Sequence, residues 1–353
     1  MNVSETGAGD WHGLVDLDNL AAWMDIRGLQ GGAIDDVKQL SGGTQNILLS
    51  FRRGERHFVL RRPPSHPRPG NNETMRREAR ILGALAGTQV PHPRLIAACA
   101  EEDVIGAAFY LMEPVDGFNI TMDLPAPYAN DKAMRAEMGH SLVDAITALA
   151  RVDYVAVGLG DFGKPDGFLE RQVKRWLSHY ANYAKIPDWP GPSSLSDVDR
   201  IAAWLDRHRP ASFMPGIMHG DYHLANVIID RRLPRIAAIV DWELATIGDP
   251  LLDLGWLLAT WPDPDGSNGM FDIAPWSGFP LAEEIVERYR AASSRDLSAI
   301  RWYTVLAGFK FGVLLEGTFV RACAGEAPIA TGERLHRLAI GQFNRANHLI
   351  DVR

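Results

Sequence analysis

Three oxygen-bearing side chains are spaced through one short stretch of the sequence. Asp221 is followed five positions later by Asn226, and Asp241 comes fifteen positions after Asn226. Phosphoryl transfer needs a base that orients the attacking hydroxyl, and oxygen ligands that hold Mg²⁺ on the nucleotide phosphates. A carboxylate, a carboxamide and a second carboxylate could supply these groups. The alternative interpretation is that the three residues only cap loops and a strand end.

The segment between Asn226 and Asp241 has the pattern of a β-hairpin. Residues 227–229 and 236–240 are short apolar runs, and the polar turn between them contains a proline. If the turn closes about residues 233–234, Asn226 lies roughly opposite Asp241. Opposed residues in antiparallel strands are about 4.5–5.5 Å apart, so the two side chains would present oxygen ligands to one hard cation.

The elements that must position these residues fall into two parts. The first part has predicted helices at 16–28 and 74–85, and predicted strands at 33–40, 45–53, 56–62, 95–100 and 107–112. The second part has predicted helices at 133–151, 168–184, 197–207, 281–292, 300–315 and 333–350. The sequence therefore predicts a bilobal α+β fold, with a small antiparallel-sheet N-lobe (residues 1–113) and a larger, mainly helical C-lobe (residues 114–353). The cleft between the lobes is the default place for a ligand.

Two features of the first part could bind phosphate. A Gly-rich turn between two strands would let backbone amides approach a phosphate, although a Gly-Gly pair is more often a simple hairpin turn. Its residues are Ser41, Gly42, Gly43 and Thr44. Arg61 ends a strand in phase with Val59, so strand alternation can face it inward toward Glu78 of the next helix. Alternatively, Arg61 and Arg62 are both solvated and Glu78 is an ordinary surface glutamate.

The composition excludes several classes of protein. The chain has 353 residues with 46% hydrophobic content, and its formal net charge of −8 argues against general nucleic-acid binding. No apolar run reaches the roughly 18–20 residues that span a bilayer, and the first ten residues lack a signal-peptide pattern. Cys99 and Cys323 are too few for a disulfide framework or a zinc site. We therefore expect a cytoplasmic protein that binds neither nucleic acid nor membrane, while its oligomeric state stays open.

The motifs around Asp221 resemble those of the aminoglycoside phosphotransferase-like family, within the protein-kinase-like fold. Residues 219–226 and 239–243 match the most specific motifs of that family, and residues 248–254 match the segment that follows them. The resemblance extends from about residue 37 to residue 343. It implies a kinase that uses Mg²⁺ with ATP or GTP as co-substrate and phosphorylates an alcohol group of a small-molecule acceptor.

The resemblance also implies roles for individual residues. Asp221 would be the catalytic base, and Asn226 and Asp241 would be the Mg²⁺ ligands. Glu113 lies in a segment that resembles the inter-lobe hinge, whose backbone would meet the adenine. The nucleotide-binding residues would be Ser41, Gly42, Gly43, Thr44, Arg61, Glu78 and Glu113.

Finer features resemble one branch of the family, which is found fused to some acyl-CoA dehydrogenases. They lie at residues 59–64, 170–176 and 317–321. That branch usually has Arg where other kinases have the phosphate-binding Lys, and it hints at a hydroxyacyl-CoA-like acceptor. The candidate substrate residues are Arg171, Arg175, Glu243 and Arg321. The face with Arg171 and Arg175 could equally be a solvated helix surface.

Several neighbouring residues have structural interpretations. Asp249 and Pro250 suit the start of a helix. Asp253 would either brace the catalytic loop or complement the helix dipole. His219 and His223 lack a third zinc ligand at suitable spacing, and for His219 we favour a role in holding the loop. Trp256, Trp261 and Trp276 suit the core or a cleft wall, and residues 262–278 are a candidate lid or substrate-recognition loop.

Two competing functions remain at this point. A nucleotide-binding pseudokinase that serves as an interaction module is favoured by Arg61 in place of Lys, but opposed by the intact Asp221, Asn226 and Asp241. An aminoglycoside phosphotransferase is the other alternative. Because aminoglycosides are polycations, the arginines at 171 and 175 argue mildly against it.

Overall fold

The computed structural model describes residues 13–40, 46–186, 188–195 and 197–351. The helices of this part are α1 (Leu17–Ile26), α2 (Asn71–Ala84), α3 (Ala126–Asn130), α4 (Lys132–Arg151), α5 (Phe168–Ala181), α6 (Val198–Arg207), α7 (Leu251–Thr260), α8 (Ala282–Ala292), α9 (Ile300–Cys323) and α10 (Ile329–Asp351). The strands are β1 (Ile34–Gln39), β2 (Ile47–Arg53), β3 (Arg56–Arg62), β4 (Leu95–Cys99), β5 (Phe109–Met112), β6 (Gly117–Phe118), β7 (Gly216–Met218), β8 (Val227–Asp230), β9 (Ile236–Ile239) and β10 (Thr246–Gly248).

The chain divides into two compact units. We call Met1–Ala148, Val155–Leu159 and Leu224–Ala245 the N-terminal unit. The C-terminal unit comprises Leu149–Tyr154, Gly160–His223 and Thr246–Arg353. The division of the chain between residues 113 and 114 stays a prediction.

A five-stranded sheet in the order β1-β2-β3-β5-β4 forms the N-terminal unit's main layer. Its neighbouring strands pair antiparallel, as predicted for the sheet of the N-lobe. Alternation along β3 places Phe58 and Leu60 in an apolar core that also contains Trp23 of α1. The intervening Val59 and Arg61 therefore face the opposite side of the sheet.

The predicted hairpin is present as β8 and β9, which form a three-stranded sheet with β6. Val227 pairs with Ile239, and the N–H of Val240 donates to the carbonyl oxygen of Asn226 at 2.9 Å. Asn226 thus lies opposite Val240, one residue away from the predicted partner Asp241. The difference begins at the turn, because Ile229 pairs with Ile236 and the hairpin closes about residues 232–233 rather than 233–234. The register shift between Ile228 and Ile229 offsets only part of this change.

The C-terminal unit is built around α9, which packs against α7 and α10. Glycines allow these close approaches: a Cβ on Gly255 of α7 would lie 2.6 Å from the carbonyl oxygen of Tyr303, and one on Gly312 would lie 2.6 Å from the ring of Phe343. The helix α9 ends eight residues after its predicted end at residue 315, because the half-polar segment 316–323 stays helical against neighbouring elements.

The length and composition of α9 would also suit a membrane span. Its most apolar window is 83% buried inside the protein, however, as is usual for the central helix of a folded core. Such a helix is weak support for a membrane protein. The cytoplasmic location and the lack of membrane binding stay predictions.

Candidate active site

The predicted ion pair between Arg61 and Glu78 is present in the N-terminal unit. The Arg61 Nε atom lies 3.0 Å from Glu78 Oε2 at an ion-pair distance, and Nη2 donates a hydrogen bond to Glu78 Oε1 at 3.3 Å. The hydroxyl of Tyr110 on β5 donates to the same carboxylate at 2.8 Å. Arg61 is 7% exposed and Glu78 is 1% exposed, so the alternative of solvated side chains is wrong.

The Arg61 guanidinium also contacts a predicted metal ligand. Its Nη2 atom donates to Asp241 Oδ1 at 2.6 Å. Burial alone would lower the pKa of Arg61, but the nearby Glu78, Tyr110 and Asp241 raise it above the ordinary value. The guanidinium therefore remains charged and joins the buried carboxylate of α2 to the carboxylate that follows β9.

Asp241 itself has an uncommon backbone conformation. Its φ of 68° and ψ of 61° lie in the left-handed region, and its side chain is 39% exposed. Non-glycine residues in this region are uncommon and often occur at functional positions. The conformation ends β9 and directs the chain into a short 3₁₀ turn at Trp242–Leu244.

The segment that carries Asn226 is held by a residue that our sequence analysis missed. Asn119 follows β6, and its side-chain amide donates to the carbonyl oxygens of Ala225 and Val227 at 2.6 Å and 3.2 Å. Asn119 is 5% exposed, so the contacts are sheltered from water. Its only sequence signal is a polar residue between two apolar ones after the hinge, which many loops share.

The oxygen donors of Asn226 and Asp241 suit Mg²⁺. Mg²⁺ usually keeps several waters and takes one or two protein oxygens together with phosphate oxygens, rather than a cage made of protein alone. Within the described ranges, no group of three or more His, Cys, Asp or Glu residues is suited to hold a metal ion. The donor set therefore fits a cation that is shared with a nucleotide.

The loop that follows β7 and carries the predicted base Asp221 belongs to the C-terminal unit. Asp253 accepts hydrogen bonds from the backbone N–H groups of His219 and Gly220, at 2.6 Å and 2.8 Å. Asp253 is 2% exposed, and burial raises its pKa to about 7, although these N–H groups and Lys310 oppose the shift. Of the two interpretations of Asp253, the structure supports the one in which it braces the loop.

The two histidines of this loop both contact Asp221. The N–H of Asp221 donates to His219 Nδ1 at 3.3 Å, and His223 Nε2 lies 3.3 Å from Asp221 Oδ1. His219 is fully buried, which agrees with the predicted role in holding the loop. The side chain of Asp221 is 25% exposed, so its carboxylate can reach a ligand in solution.

Asp249 and the tryptophans have the predicted structural roles. Asp249 is fully buried, accepts from the N–H of Leu251 at 3.1 Å, and accepts a hydrogen bond from the hydroxyl of Tyr303. These contacts hold the first turn of α7. The three tryptophans, Trp256, Trp261 and Trp276, are buried. The rings of Trp261 and Trp276 contact each other edge to face, with their centroids 5.0 Å apart.

The remaining candidate residues do not gather around one of these centres. Glu113 pairs with Arg94 and donates its backbone N–H to the Arg94 carbonyl oxygen at 2.9 Å. Arg171 is exposed and donates to the carbonyl oxygens of Lys164 and Asp166, so it holds the turn before α5. Arg321 donates to Thr318 one turn earlier, at 3.2 Å.

Four further predictions concern two single residues, a turn and a loop. Arg175 is exposed and lies over the ring of Trp176 at 5.9 Å. Glu243 is half-buried in the 3₁₀ turn after Asp241. The Gly-rich turn at residues 41–44 lies outside the described residues. Residues 262–278 line a groove of about 860 Å³ together with α10, and their role as a lid stays a prediction.

Comparison with known proteins settles the family. A sequence model described as the phosphotransferase enzyme family matches residues 26–303, which is more than half of the chain. The chain belongs to the phosphotransferase enzyme family. This membership and the structural neighbours confirm the resemblance to aminoglycoside phosphotransferases and the bilobal α+β, protein-kinase-like fold.

The curated relatives of this phosphotransferase are longer proteins. It is 29% identical to rat acyl-CoA dehydrogenase family member 11 over 321 residues, which is 88% of this chain and 40% of the relative. It is 28% identical to mouse acyl-CoA dehydrogenase family member 10 over 310 residues, which is 86% of this chain and 28% of the relative. The probable acyl-CoA dehydrogenase IBR3 of Arabidopsis thaliana is 28% identical over 339 residues, 89% of this chain and 40% of the relative. The chain thus spans less than half the length of these relatives.

Solved structures extend the comparison. A putative aminoglycoside phosphotransferase from Ralstonia eutropha JMP134 is 29% identical, with a TM-score of 0.77 over 95% of this chain and 99% of that one. A thermostable mutant of the aminoglycoside phosphotransferase APH(4)-Ia, in a ternary complex with AMP-PNP and hygromycin B, is 16% identical, with a TM-score of 0.60 over 95% of this chain and 99% of that one. The second match supports the fold alone.

Proposed function

We propose that this phosphotransferase transfers the γ-phosphoryl group of ATP or GTP to a hydroxyl group of a small molecule, with Mg²⁺ bound. The observation that carries the proposal is the Arg61 guanidinium, which is bonded to both Glu78 and Asp241. A buried, permanently charged fork beside a candidate metal ligand suits the binding of nucleotide phosphates. Family membership supports the same reaction type.

The base in this proposal is Asp221. A carboxylate that accepts the proton of the acceptor hydroxyl makes that oxygen a better nucleophile and aligns it with the phosphorus. The bracing of the loop by Asp253 favours this role, because it limits the positions that the Asp221 carboxylate can take. His223 holds one carboxylate oxygen and leaves the group accessible.

The metal ligands in this proposal are Asn226 and Asp241. When bound, Mg²⁺ neutralises the charge of the nucleotide phosphates and of the oxygens in the transition state. Asn119 keeps the Asn226 segment in place through the two carbonyl oxygens beside it. Arg61 keeps the Asp241 carboxylate oriented by a 2.6 Å hydrogen bond.

The nucleotide would be covered by residues 41–44, whose backbone amides are suited to phosphate oxygens. At the predicted hinge, the N–H of Glu113 already donates to the Arg94 carbonyl oxygen. A contact between Glu113 and an adenine would therefore use its carbonyl oxygen rather than its N–H. Arg171, Arg175, Glu243 and Arg321 are retained as proposed acceptor residues.

For the acceptor, a hydroxyacyl-CoA-like molecule is our first candidate. The relatives that match over most of this chain are named as acyl-CoA dehydrogenases, which supports an acyl-CoA metabolite. An aminoglycoside is the second candidate, because the structural neighbour that is 29% identical is named as a putative aminoglycoside phosphotransferase. A pseudokinase, which would phosphorylate no acceptor, is the remaining alternative for the whole protein. The Arg61–Glu78 pair disfavours it, because Arg61 keeps the carboxylate partner that the phosphate-binding Lys of other kinases would have.

A screen of nucleotide consumption tests the proposal. The protein is incubated with ATP or GTP, with and without Mg²⁺, and with panels of hydroxyacyl-CoAs, aminoglycosides and amino alcohols. We expect Mg²⁺-dependent consumption with one panel and loss of that consumption in Asp221→Ala. Nucleotide binding without consumption in any panel would favour the pseudokinase instead.

A further inference from the structure

Lys310 is a buried cation near the middle of the apolar helix α9. The residue is 6% exposed. Its Nζ atom lies 5.4 Å from the ring centroid of Trp176 on α5 and 5.1 Å from that of Trp256 on α7. Among the residues that the structure describes, no oxygen atom accepts a hydrogen bond from the ammonium group. Buried charges are normally paired with a hydrogen-bonding partner, so this arrangement needs an explanation.

The indole rings explain how Lys310 is held but not what its N–H groups bind. A cation over an aromatic face is attracted by the ring quadrupole. Two such faces fix the ammonium without using any of its three N–H donors. A ligand with acceptor oxygens could therefore bind to the ammonium without displacing a partner within the protein.

The nearby carboxylates do not neutralise Lys310 completely. Asp253 and Asp221 are close enough to raise its pKa, but burial dominates and Arg175 opposes them, so the pKa of Lys310 is lowered to about 8. Both carboxylate oxygens of Asp253 already accept backbone N–H groups. The ammonium is thus still mainly protonated at pH 7, with a second cation, Arg175, nearby.

The Lys310 site adjoins the proposed base through aromatic contacts. Phe311, the next residue, has its ring centroid 5.5 Å from that of Trp256 and 6.3 Å from that of His223. The Trp256 indole Nε1–H is buried and, in the described part of the chain, has no hydrogen-bond partner. His223 in turn lies 3.3 Å from Asp221. Close to Asp221, the protein therefore combines packed aromatic rings with two buried donor groups, the Lys310 ammonium and the Trp256 indole N–H, that have no acceptor in the described part of the chain.

We propose that Lys310 is an acceptor-binding residue that recognises an oxyanion, a carboxylate or a phosphate, on the molecule whose hydroxyl is phosphorylated. This rests on the proposed function, since it assumes that Asp221 aligns that hydroxyl. Apolar carbons between the oxyanion and the hydroxyl would pack on the half-buried ring of Trp176. Polycationic acceptors are disfavoured, because Lys310 and Arg175 would both repel them.

Matched pairs of small alcohols test this inference by direct binding. The pairs are 4-hydroxybutyrate with 1,4-butanediol, and glycerol 3-phosphate with glycerol, measured by saturation-transfer NMR without nucleotide. We expect the anionic member of at least one pair to bind more tightly to the natural protein. The pair that shows the preference distinguishes a carboxylate from a phosphate.

Substitutions at position 310 then identify the residue responsible. Lys310→Met keeps the length of the side chain and its apolar packing, and should weaken binding of the anionic probe about ten- to a hundred-fold, as expected for a hydrogen bond to a charged group. Lys310→Arg should restore part of the preference. Lys185→Ala is the control, because Lys185 is exposed and pairs with Asn182.

Two outcomes would overturn the inference. One is equal binding of the charged and neutral members of both pairs to the natural protein. The other is an undiminished anion preference in Lys310→Met, which would leave Lys310 only the task of balancing the charges of Asp221 and Asp253. Failure of the proposed function can be told apart from failure of this inference. The former would appear as absent nucleotide consumption, whereas the NMR binding comparison would still show whether Lys310 binds an anion.

Discussion

Arg61 and Asp241 are 180 positions apart in the chain, and a 2.6 Å hydrogen bond joins their side chains. The same guanidinium forms an ion pair with Glu78 on α2. Arg61 therefore links a strand, a helix and the end of a hairpin through one charged group. This link makes Arg61 the centre of the proposed phosphate site and leads to the first prediction.

Removing Arg61 should destabilise the protein strongly. Arg61→Met leaves Glu78 buried without its cation, and breaking a buried pair from one side costs about 3–5 kcal/mol. Urea unfolding would measure the change in free energy. The double variant Arg61→Met/Glu78→Gln should recover part of the loss, since no uncompensated charge remains. Equal stability of Arg61→Met and the natural protein would contradict a structural role for the pair.

The role of Arg61 in nucleotide binding can be tested separately from its role in stabilising the fold. Arg61→Lys keeps the charge but loses the planar fork that reaches two carboxylates. We expect it to fold and to bind nucleotide more weakly, as calorimetry with the Mg²⁺ complex of ATP or GTP would show. Unaltered nucleotide affinity in Arg61→Lys would mean that phosphates do not contact this guanidinium.

Asp221→Ala should lower turnover about 10²- to 10⁴-fold, the usual contribution of a positioned general base. Nucleotide binding should remain, because the proposed nucleotide ligands lie elsewhere in the chain. Turnover with the acceptor found in the screen, together with calorimetry, measures both quantities. Asp206→Ala is a suitable control, since Asp206 is an exposed aspartate paired only loosely with Arg209, at 3.9 Å. Unchanged turnover in Asp221→Ala would rule out the base assignment.

Asp241→Ala should abolish the effect of Mg²⁺ on nucleotide binding. The carboxylate is the charged member of the proposed ligand pair, so its loss removes most of the attraction for the cation. Calorimetric titrations of nucleotide with and without Mg²⁺ should then coincide in the variant and differ in the natural protein. Asn226→Ala should show the same change to a smaller extent. A persistent difference in Asp241→Ala would place the metal elsewhere.

The pH dependence of stability should report the buried Lys310. Its pKa is about 8, against 10.5 for an ordinary lysine, and the charged groups that act on it are Asp253, Asp221 and Arg175. Between these two values the unfolded chain binds the proton and the folded protein does not, so stability rises with pH through this window. Below about pH 8 the Lys310 ammonium is charged in the folded protein, so the full cost of burying that charge lowers the free energy of unfolding.

Lys310→Met lacks this titration, which provides the measurement. At pH 7.5 we expect the unfolding free energy of the variant to exceed that of the natural protein by at most about 3 kcal/mol. This difference should become smaller as the pH rises toward 10. Unfolding free energies at several pH values would show it. Asp253, whose pKa is about 7, is already ionised in most of this range. A gap independent of pH would contradict a shifted pKa at Lys310.

Much of the fold followed from local pattern. Apolar periodicity predicted the strands of the first sheet, and helices such as α2 and α4, within a few residues. The alternation along β3 also predicted that Arg61 faces Glu78. These predictions succeed because burial of one face imposes a repeat of two or of 3.6 residues on the sequence.

Other features could not be read in this way. The hairpin register differs by one residue, because the turn closes about residues 232–233 and the irregularity between Ile228 and Ile229 offsets this only in part. The composition of the turn predicts neither feature. The end of α9 was placed too early, since residues 316–323 are helical through contacts with other elements. Lys310 was overlooked because one lysine within an apolar helix gives no periodic signal.

The sequence by itself predicted which residues could carry the chemistry, namely Asp221, Asn226 and Asp241, and determined most of the elements that hold them. Those inferences depend on residue types and on spacings of a few positions. Only the tertiary structure decided that Arg61 bonds to Asp241 and that Lys310 lies between two indole rings. Such contacts join residues far apart in the chain, and they arise because packing of whole strands and helices, rather than any local preference, sets the distance between their side chains.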